Sequence, residues 1–338
     1  ELKAPAGFVS SNEVLNFDAS YQGQDVETVV LKAVKKNQPT TVEITKSDIT
    51  TGTELDGASL KVLDKDGNVV DEWTSVKDAP HVIKRLVAGE TYTLREEFAP
   101  YGYLKATDIT FTVADNGDVQ KVEMKDEVPT GLLIINKKGE FLDKVTLLDN
   151  AKGTVEHLFE YITGSLTEVT FHVYAAEDIK AADGVSEDYF KADELVGTIT
   201  TDTNGIAQLG DLPVGKYYVK EAETAHGYVL DGEPRYVDLS YRDQNTPVVT
   251  YDEAWQNNRQ KVKVTVLKKE KDTERVLAGG IFGLFTREDI KNASGDVLME
   301  ADTLIELKTT DENGQITFMA DLPVDGNYYV KELYAPDG

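Results

Sequence analysis

Two stretches of this sequence repeat one pattern and decide its fold. The first is GIAQLGDLPVGKYYVKE at residues 205–221, and the second is GQITFMADLPVDGNYYVKE at residues 314–332. In both, apolar and polar residues alternate with a period of two, which is typical of half-buried β-strands. Each copy begins with an Asn-Gly pair, Asn204-Gly205 or Asn313-Gly314, which is typical of a hairpin turn with positive φ. We therefore predict a mostly β chain built from repeated sandwich modules.

A short turn marks the same point in every module. A weaker copy of the repeat ends at Glu96, and each repeat that ends in Glu is followed by a turn of one shape. These turns are Ala99-Pro100-Tyr101-Gly102-Tyr103, Ala225-His226-Gly227-Tyr228 and Ala335-Pro336-Asp337-Gly338, and Ala4-Pro5-Ala6-Gly7-Phe8 follows Glu1 in the same way. Their positions indicate two complete modules and two partial ones.

The predicted organisation has four segments. Residues 1–40 hold the C-terminal part of a split module, 41–128 a complete module, 129–260 a complete module with insertions, and 261–338 the N-terminal part of a split module. Residues 155–163 and 177–180 carry helix-like spacing, so we expect short helical insertions there. The junctions are short and contain proline, which favours a semi-rigid rod.

Composition excludes several function classes. The 338 residues include 35 Lys+Arg against 61 Asp+Glu, giving a net charge of −26 that disfavours nucleic acid and membrane-surface binding. Cysteine is absent and histidine occurs four times, so disulfides and thiolate metal sites are excluded and we expect no metal or cofactor. No apolar run is long enough to insert into a membrane. A start at Glu1 rather than Met suggests a fragment or a processed protein.

Each module places a lysine on the inward face of its first strand. Lys46 shares its parity with Val42 and Ile44, and the same spacing applies to Lys137 and Lys268. Burying an ammonium group costs several kcal/mol unless it is paired or neutralised. Other polar residues are predicted to face inward as well: the repeat glutamates Glu96, Glu221, Glu332 and Glu1, and the last-strand residues Asn37, Asp126 and Asn257. Such convergence indicates a buried ion pair or a reaction.

At these residues the sequence resembles a known family. Thr45-Lys46-Ser47-Asp48 with Leu55-Asp56-Gly57-Ala58, and Lys268-Lys269-Glu270 with Leu277-Ala278-Gly279, look like the start of collagen-adhesin B-type (SpaA-like, prealbumin-like) repeats of Gram-positive surface proteins. Tyr-Val-Lys-Glu-x-x-Ala-Pro-x-Gly and Asn-x-Pro-Thr look like the later landmarks of that family. The resemblance implies immunoglobulin-like β-sandwiches in which a Glu promotes a spontaneous Lys–Asn or Lys–Asp isopeptide bond between the first and last strands.

The resemblance assigns the pairs residue by residue. It implies a Lys46–Asp126 bond and a Lys137–Asn257 bond, with Lys138 and Asn258 as open alternatives in the second case. An uncrosslinked hydrogen-bond network is the alternative for both. Lys268 and Asn37 belong to the two partial modules, so neighbouring copies could pair them head to tail. The alternative there is a break within a longer repeat protein.

These observations predict a structural protein rather than a turnover enzyme. We expect the stalk of a cell-wall adhesin or pilin-like protein, extracellular on a Gram-positive bacterium, with bond formation as a single autocatalytic event. The alternative is a region that binds a host matrix protein or glycan through the insertions at 139–170 and 175–195. Signal peptide and sorting motif are both absent from the sequence, so the surface location rests on the resemblance.

Overall fold

The computed structural model describes residues 1–149 and 155–336. Two parts of the sequence predictions, residues 150–154 of the first insertion and Asp337-Gly338 of the last turn, lie outside the described residues. The described chain is all β, which confirms the predicted class. Its strands are β1 Thr41–Asp48, β2 Ser59–Leu63, β3 Val69–Thr74, β4 His81–Lys84, β5 Thr91–Phe98, β6 Ile109–Thr112, β7 Val119–Asp126, β8 Thr130–Asp149, β9 Val155–Ser165, β10 Thr170–Ala175, β11 Leu195–Thr200, β12 Ile206–Pro213, β13 Lys216–Glu223, β14 Arg235–Asp238, β15 Val248–Gln256, β16 Thr265–Leu267, β17 Ile281–Thr286, β18 Ile290–Lys291, β19 Val297–Met299, β20 Leu304–Thr309, β21 Gln315–Thr317 and β22 Tyr328–Tyr334.

The first sandwich packs a sheet of order β4-β1-β7 against one of order β3-β2-β5-β6. Alternate residues of each strand point inward, so one core forms from Val42, Leu60, Leu94 and Met124 among others. β1 pairs with β7 in parallel and with β4 antiparallel. The first and last strands of the module are therefore hydrogen-bonded neighbours that run in the same direction.

The second sandwich repeats this arrangement. Its sheet β11-β10-β13-β14 covers β12, β8 and β15, and the core includes Ile135, Phe171, Tyr217 and Trp255. β8 pairs with β15 in parallel and with β12 antiparallel, as β1 does with β7 and β4. Again the first and last strands of the module lie side by side.

The third unit is built around β17, β20 and β22, with Leu284 and Ile305 fully buried. Its first strand, β16, pairs antiparallel with β21. In residues 1–149 and 155–336, no strand pairs with the other edge of β16. This edge corresponds to the one that β7 and β15 occupy in the other two sandwiches.

The predicted helical insertions are wrong. Residues 155–163 belong to strand β9, which pairs antiparallel with β8 to form a long ribbon. Leu158 and Ile162 on one face of β9 are exposed while Phe159 on the other is buried, so apolar residues on both faces hid the strand alternation. Residues 177–180 are irregular rather than helical, and Ile179 forms an isolated antiparallel bridge with Phe190. In the described ranges, no helix is long and apolar enough to cross a membrane.

The β8–β9 ribbon connects the second and third units. β9 pairs with β20, so one seven-stranded sheet runs from β12 through the ribbon to β22. Leu142 and Phe159 of the ribbon are buried in the core of the third unit. The described part of the 139–170 insertion is thus used mainly for packing between modules.

Residues 1–40 contain no strand. An isolated antiparallel β-bridge links Phe8 to Pro39. This segment exposes Val14, Phe17, Tyr21 and Val34. Thr40 is buried and donates a hydrogen bond to the Leu86 carbonyl, which fixes the end of the segment to the first sandwich. The segment is held at its ends and is largely exposed between them.

Candidate functional site

The first sandwich brings Lys46, Glu96 and Asp126 together inside its core. Lys46 follows Val42 and Ile44 on the inward face of β1, and Asp126 follows Val122 and Met124 on β7. The parallel register sets Lys46 beside Met124 and Asp48 beside Asp126, so the long lysine side chain reaches two residues along the sheet. Glu96 comes from β5 in the opposite sheet and approaches from across the core.

The three side chains are in direct contact. Lys46 Nζ donates to Asp126 Oδ1 and lies 3.0 Å from Glu96 Oε1. The exposed fractions of the three side chains are 1% for Lys46 and 0% for Glu96 and Asp126. The other oxygen of Glu96 accepts the Ala106 N–H at 2.6 Å, which orients the carboxyl group. This is a buried cluster in which an amine contacts two carboxyl groups from different strands.

Burial changes the protonation of Asp126. Desolvation raises the pKa of the Asp126 carboxyl to about 7, although Lys46 acts to lower it, and Glu96 raises it further. A carboxyl group with this pKa is largely protonated below neutral pH. Within the described part of the chain, Asp126 Oδ2 has no hydrogen-bond partner. A protonated carboxyl group is a far better electrophile than a carboxylate.

The second sandwich builds the same cluster from Lys137, Glu221 and Asn257. Lys137 on β8 stands opposite Trp255 of the parallel strand β15, and Asn257 follows that strand directly. Lys137 Nζ donates to Glu221 Oε2 at 2.7 Å, while Asn257 Nδ2 donates to Glu221 Oε1 at 2.5 Å. Lys137 and Asn257 are each 1% exposed. Glu221 therefore bridges the amine and the carboxamide.

The geometry distinguishes between the candidates that the sequence left open. Lys138 is half-buried and its Nζ lies 3.3 Å from Ser165 Oγ, and Asn258 is exposed. Desolvation lowers the pKa of Lys137, against the opposing effect of Glu221, so its amine loses its proton more easily. Lys137 and Asn257, rather than their neighbours, are thus the pair that the fold brings to the glutamate.

The third unit carries the cluster in part. Lys268 follows β16 and its Nζ donates to Glu332 Oε2 of β22 at 2.7 Å. Their side chains are 26% and 31% exposed, far more than those of the other two clusters. Asn37 lies elsewhere, where its Nδ2 donates to both carboxylate oxygens of Glu1 at 2.8 and 3.0 Å. This contact lowers the pKa of Glu1. Lys268 and Asn37 are not brought together within one chain.

Sequence reasoning missed two side chains near these clusters. Thr224 accepts a hydrogen bond from Asn257 Nδ2 at 2.8 Å, and Tyr103 donates one to Asp48 at 2.8 Å from a fully buried position. Tyr103 ends the turn that marks the module, and the aromatic residue at this point recurs as Tyr228 and Phe8. That recurrence was the available signal. In residues 1–149 and 155–336, His, Asp and Glu side chains form no group that could hold a metal ion.

Comparison with protein families gives three matches along the chain. The family described as the SpaA prealbumin-like fold domain matches residues 40–128, 161–254 and 262–338. Among curated proteins, none matches this chain.

Several solved structures are similar to this chain. The Bacillus anthracis TIE protein is similar with a TM-score of 0.56 and 21% identity, over 88% of this chain and 46% of that one, so this chain spans less than half of that protein. A streptococcal ancillary pilin gives 17% identity and a TM-score of 0.28, over 88% of this chain and 91% of that one. The Bacillus cereus major pilin subunit BcpA gives 15% identity and a TM-score of 0.31, covering 88% of both chains. At 21% identity, the likeness to the TIE protein concerns the fold alone.

Proposed function

The chain belongs to the SpaA prealbumin-like fold domain family, and from this premise we propose that it is a load-bearing stalk whose complete modules are locked by Lys–Asp and Lys–Asn isopeptide bonds. The observation that carries the proposal is the Lys46–Asp126 contact, fully buried between the first and last strands of a module. As the sequence resemblance implies, the stalk is part of an adhesin or pilin-like protein on the surface of a Gram-positive bacterium.

For Lys46 and Asp126, the reaction condenses an amine with a carboxylic acid. Proton transfer within the dry contact gives a neutral amine beside a protonated carboxyl group. The Nζ lone pair attacks Asp126 Cγ, and the C=O π pair moves onto the oxygen as the C–N bond forms. Glu96 takes a proton from Nζ and returns one to the hydroxyl that leaves. An amide and one water result, and the protein is not regenerated, so the reaction is a single turnover.

For Lys137 and Asn257, the leaving group is ammonia. The Lys137 amine attacks Asn257 Cγ, and Glu221 carries a proton from Nζ to the departing nitrogen, which already donates to its Oε1 at 2.5 Å. The lowered pKa of Lys137 supports this step because only the neutral amine is nucleophilic. One amide and one ammonia result.

The position of the bonds suits a protein under tension. The chain enters the first module on β1 and leaves it on β7, and the proposed bond joins these two strands directly. Force would then pass from strand to strand without opening the sandwich. The modules are also tied to each other: Gln244 of the second accepts the Ala99 N–H of the first at 2.8 Å, and the β8–β9 ribbon packs into the third. These contacts favour a semi-rigid rod.

Pulling on single molecules tests the load-bearing role. A crosslinked first module hides the loop of 80 residues between Lys46 and Asp126, and that loop would add about 28 nm when fully extended. We expect the wild-type chain to lack this extension and the Lys46→Ala variant to show it. Release of the full loop by the wild-type protein would contradict the proposal.

A second candidate function is head-to-tail joining of copies. It is supported by the open edge of β16, beside which Lys268 and Glu332 lie 2.7 Å apart without an Asn or Asp among the described residues. Residues 1–40 of another copy would add a strand to this edge and bring Asn37 to Lys268, with loss of ammonia. A covalent ladder on a denaturing gel that disappears in both Lys268→Ala and Asn37→Ala is the expected result. Monomer alone would eliminate this candidate.

A further inference from the structure

Two cavities lie at equivalent places, one at each junction between neighbouring modules. The first, of about 500 Å³, is lined by Tyr101 and Val128 of the first module and by Asp211 of the second, among other residues. The second, of about 430 Å³, is lined by His226 and Arg259 of the second module and by residues 323–325 of the third. Val128 and Arg259 correspond, because each comes two residues after the last-strand residue of its module, Asp126 or Asn257.

At the second junction a guanidinium group of the protein itself forms part of the cavity wall. Arg259 is 7% exposed, and its Nη2 donates to Asp321 of the third module. Its Nε lies 3.4 Å from Glu140, and its guanidinium carbon lies 3.7 Å from the ring centroid of Tyr161. This junction therefore stabilises a cation with carboxylates on its edge and an aromatic ring on its face.

The first junction has the same carboxylate without the cation. Asp211 corresponds to Asp321, since each opens an Asp-Leu-Pro-Val sequence in the repeat. In residues 1–149 and 155–336, no cationic side chain forms an ion pair with Asp211, and apolar Val128 stands where Arg259 stands at the other junction. Asp211 lies in a β-bulge of β12 and has a φ of 54°. Bulges of this kind redirect a side chain, here toward the cavity.

The remaining walls of the first cavity also suit a guanidinium group. Tyr101 and Tyr189 are exposed, and the Tyr101 ring lies 4.9 Å from that of Tyr241, so aromatic faces line the opening. Glu177 adds a second carboxylate. Lys180 also lines the cavity, but its counterpart Lys291 lines the second cavity together with Arg259, so a lysine at this position is compatible with a bound cation. The net charge of −26 attracts cationic partners in addition.

We propose that the cavity between the first and second modules binds the guanidinium group of an arginine side chain presented by a partner protein, which would pair with Asp211 as Arg259 pairs with Asp321 at the next junction. The bound group would donate to Asp211 and stack on the tyrosine rings. This site is separate from the crosslinking clusters, so it does not depend on the proposed bonds.

The test uses the full chain with isotope-labelled tyrosine, and follows the ring signals of Tyr101 and Tyr189 by NMR. The probes are acetyl-arginine amide, its neutral isostere acetyl-citrulline amide, and maltotriose as a neutral glycan. We expect the arginine probe to shift these signals in a saturable way and the citrulline probe to bind about tenfold more weakly or not at all, since charge-assisted hydrogen bonds are about twice as strong as neutral ones.

Three variants sharpen the test. Asp211→Asn should weaken binding of the arginine probe about tenfold, as loss of a charged partner does. Val128→Arg should abolish binding because the new guanidinium group would pair with Asp211 as Arg259 pairs with Asp321. Glu187→Gln is the control: Glu187 is exposed, belongs to the 175–195 insertion that contributes Glu177 and Tyr189 to the cavity, and does not itself line it. This variant should bind as wild type.

Any one of four results would overturn the proposal. The first is that the arginine probe causes no saturable shift, and the second is that the arginine and citrulline probes bind equally well. The third is that Asp211→Asn or Val128→Arg binds the arginine probe as tightly as the wild type does. The fourth is that maltotriose binds and the arginine probe does not. The last result would assign the cavity to a neutral glycan.

Discussion

Lys46 Nζ donates to Asp126 Oδ1 between two parallel strands, β1 and β7, that are respectively the first and last of their module. Neither side chain is more than 1% exposed. Glu96 completes the contact from the opposite sheet at 3.0 Å from the same nitrogen. An amine, a carboxyl group and a proton carrier that are held together in a dry core have no solvent to separate them, and this favours condensation over a persistent ion pair.

Glu96→Gln should prevent the Lys46–Asp126 bond. The amide keeps the size of the side chain but cannot accept and return a proton, so we expect this variant to retain the water that the wild type loses. Its first module should be less stable by about 4–5 kcal/mol, the loop-entropy value for a crosslink that spans 80 residues. Mass spectrometry and thermal unfolding measure the two effects. The neighbouring Glu97→Gln is the matched control and should behave as wild type.

Lys137→Arg should prevent the second bond, because a guanidinium group stays protonated and is not nucleophilic. The variant should retain one ammonia relative to the wild type in its intact mass. Lys138→Arg, at the half-buried neighbour, should lose ammonia normally. If the effects of the two variants were exchanged, the assignment of Lys137 to the glutamate would be wrong.

The pH dependence of stability should reveal the buried Asp126 carboxyl group in Lys46→Met, which cannot form the bond. The folded-state pKa is about 7 against an ordinary value of 3.8, and loss of Lys46 removes an effect that lowers it. The folded state thus binds the proton more tightly, so stability is full below about pH 4 and falls as pH rises toward 7. We expect a loss of about 3–4 kcal/mol between pH 4 and 7 in urea unfolding, because one unit of pKa difference is worth about 1.4 kcal/mol.

The control for this experiment is the double variant Lys46→Met with Asp126→Asn. It lacks the titrating carboxyl group, so the difference in free energy of unfolding between the two proteins should carry the entire slope between pH 4 and 7. Parallel profiles would show that the Asp126 pKa is not raised.

Arg259→Ala should loosen the junction between the second and third modules. The change removes the ion pair with Asp321 and the stacking on Tyr161. We expect the third unit to lose about 1.5–3 kcal/mol, the usual contribution of a hydrogen bond to a charged group, measured by calorimetry of the full chain. Arg242→Ala, at an exposed arginine whose contact is one backbone carbonyl at 3.3 Å, should leave unfolding unchanged.

Local patterns were sufficient to predict the sandwich faces. A lysine in phase with Val42 and Ile44 must point inward, and the structure buries Lys46 accordingly. The same argument placed Glu96 and Asp126 on inward faces, because strand alternation depends only on nearest neighbours. The pairing of β1 with β7 is a contact across 80 residues, and the family resemblance, rather than periodicity, implied it.

Contacts between modules could not be predicted from local patterns. Phe159 and Tyr161 lie on a strand whose other face exposes Leu158 and Ile162, so the segment shows no clean alternation and its spacing favours a helix. This strand, β9, pairs with β8. Its buried face packs into the core of the third unit, whose residues outside the β8–β9 ribbon lie more than a hundred positions later in the sequence. The role of Arg259 likewise depends on Asp321, which only the folded junction brings near.

The intact mass of the purified chain tests the central claim most directly. We predict a mass below that of the sequence by one water and one ammonia, with a branched peptide joining Lys46 to Asp126 and another joining Lys137 to Asn257 after proteolysis. A mass equal to that of the sequence would contradict the crosslinked stalk and leave both clusters as buried hydrogen-bond networks.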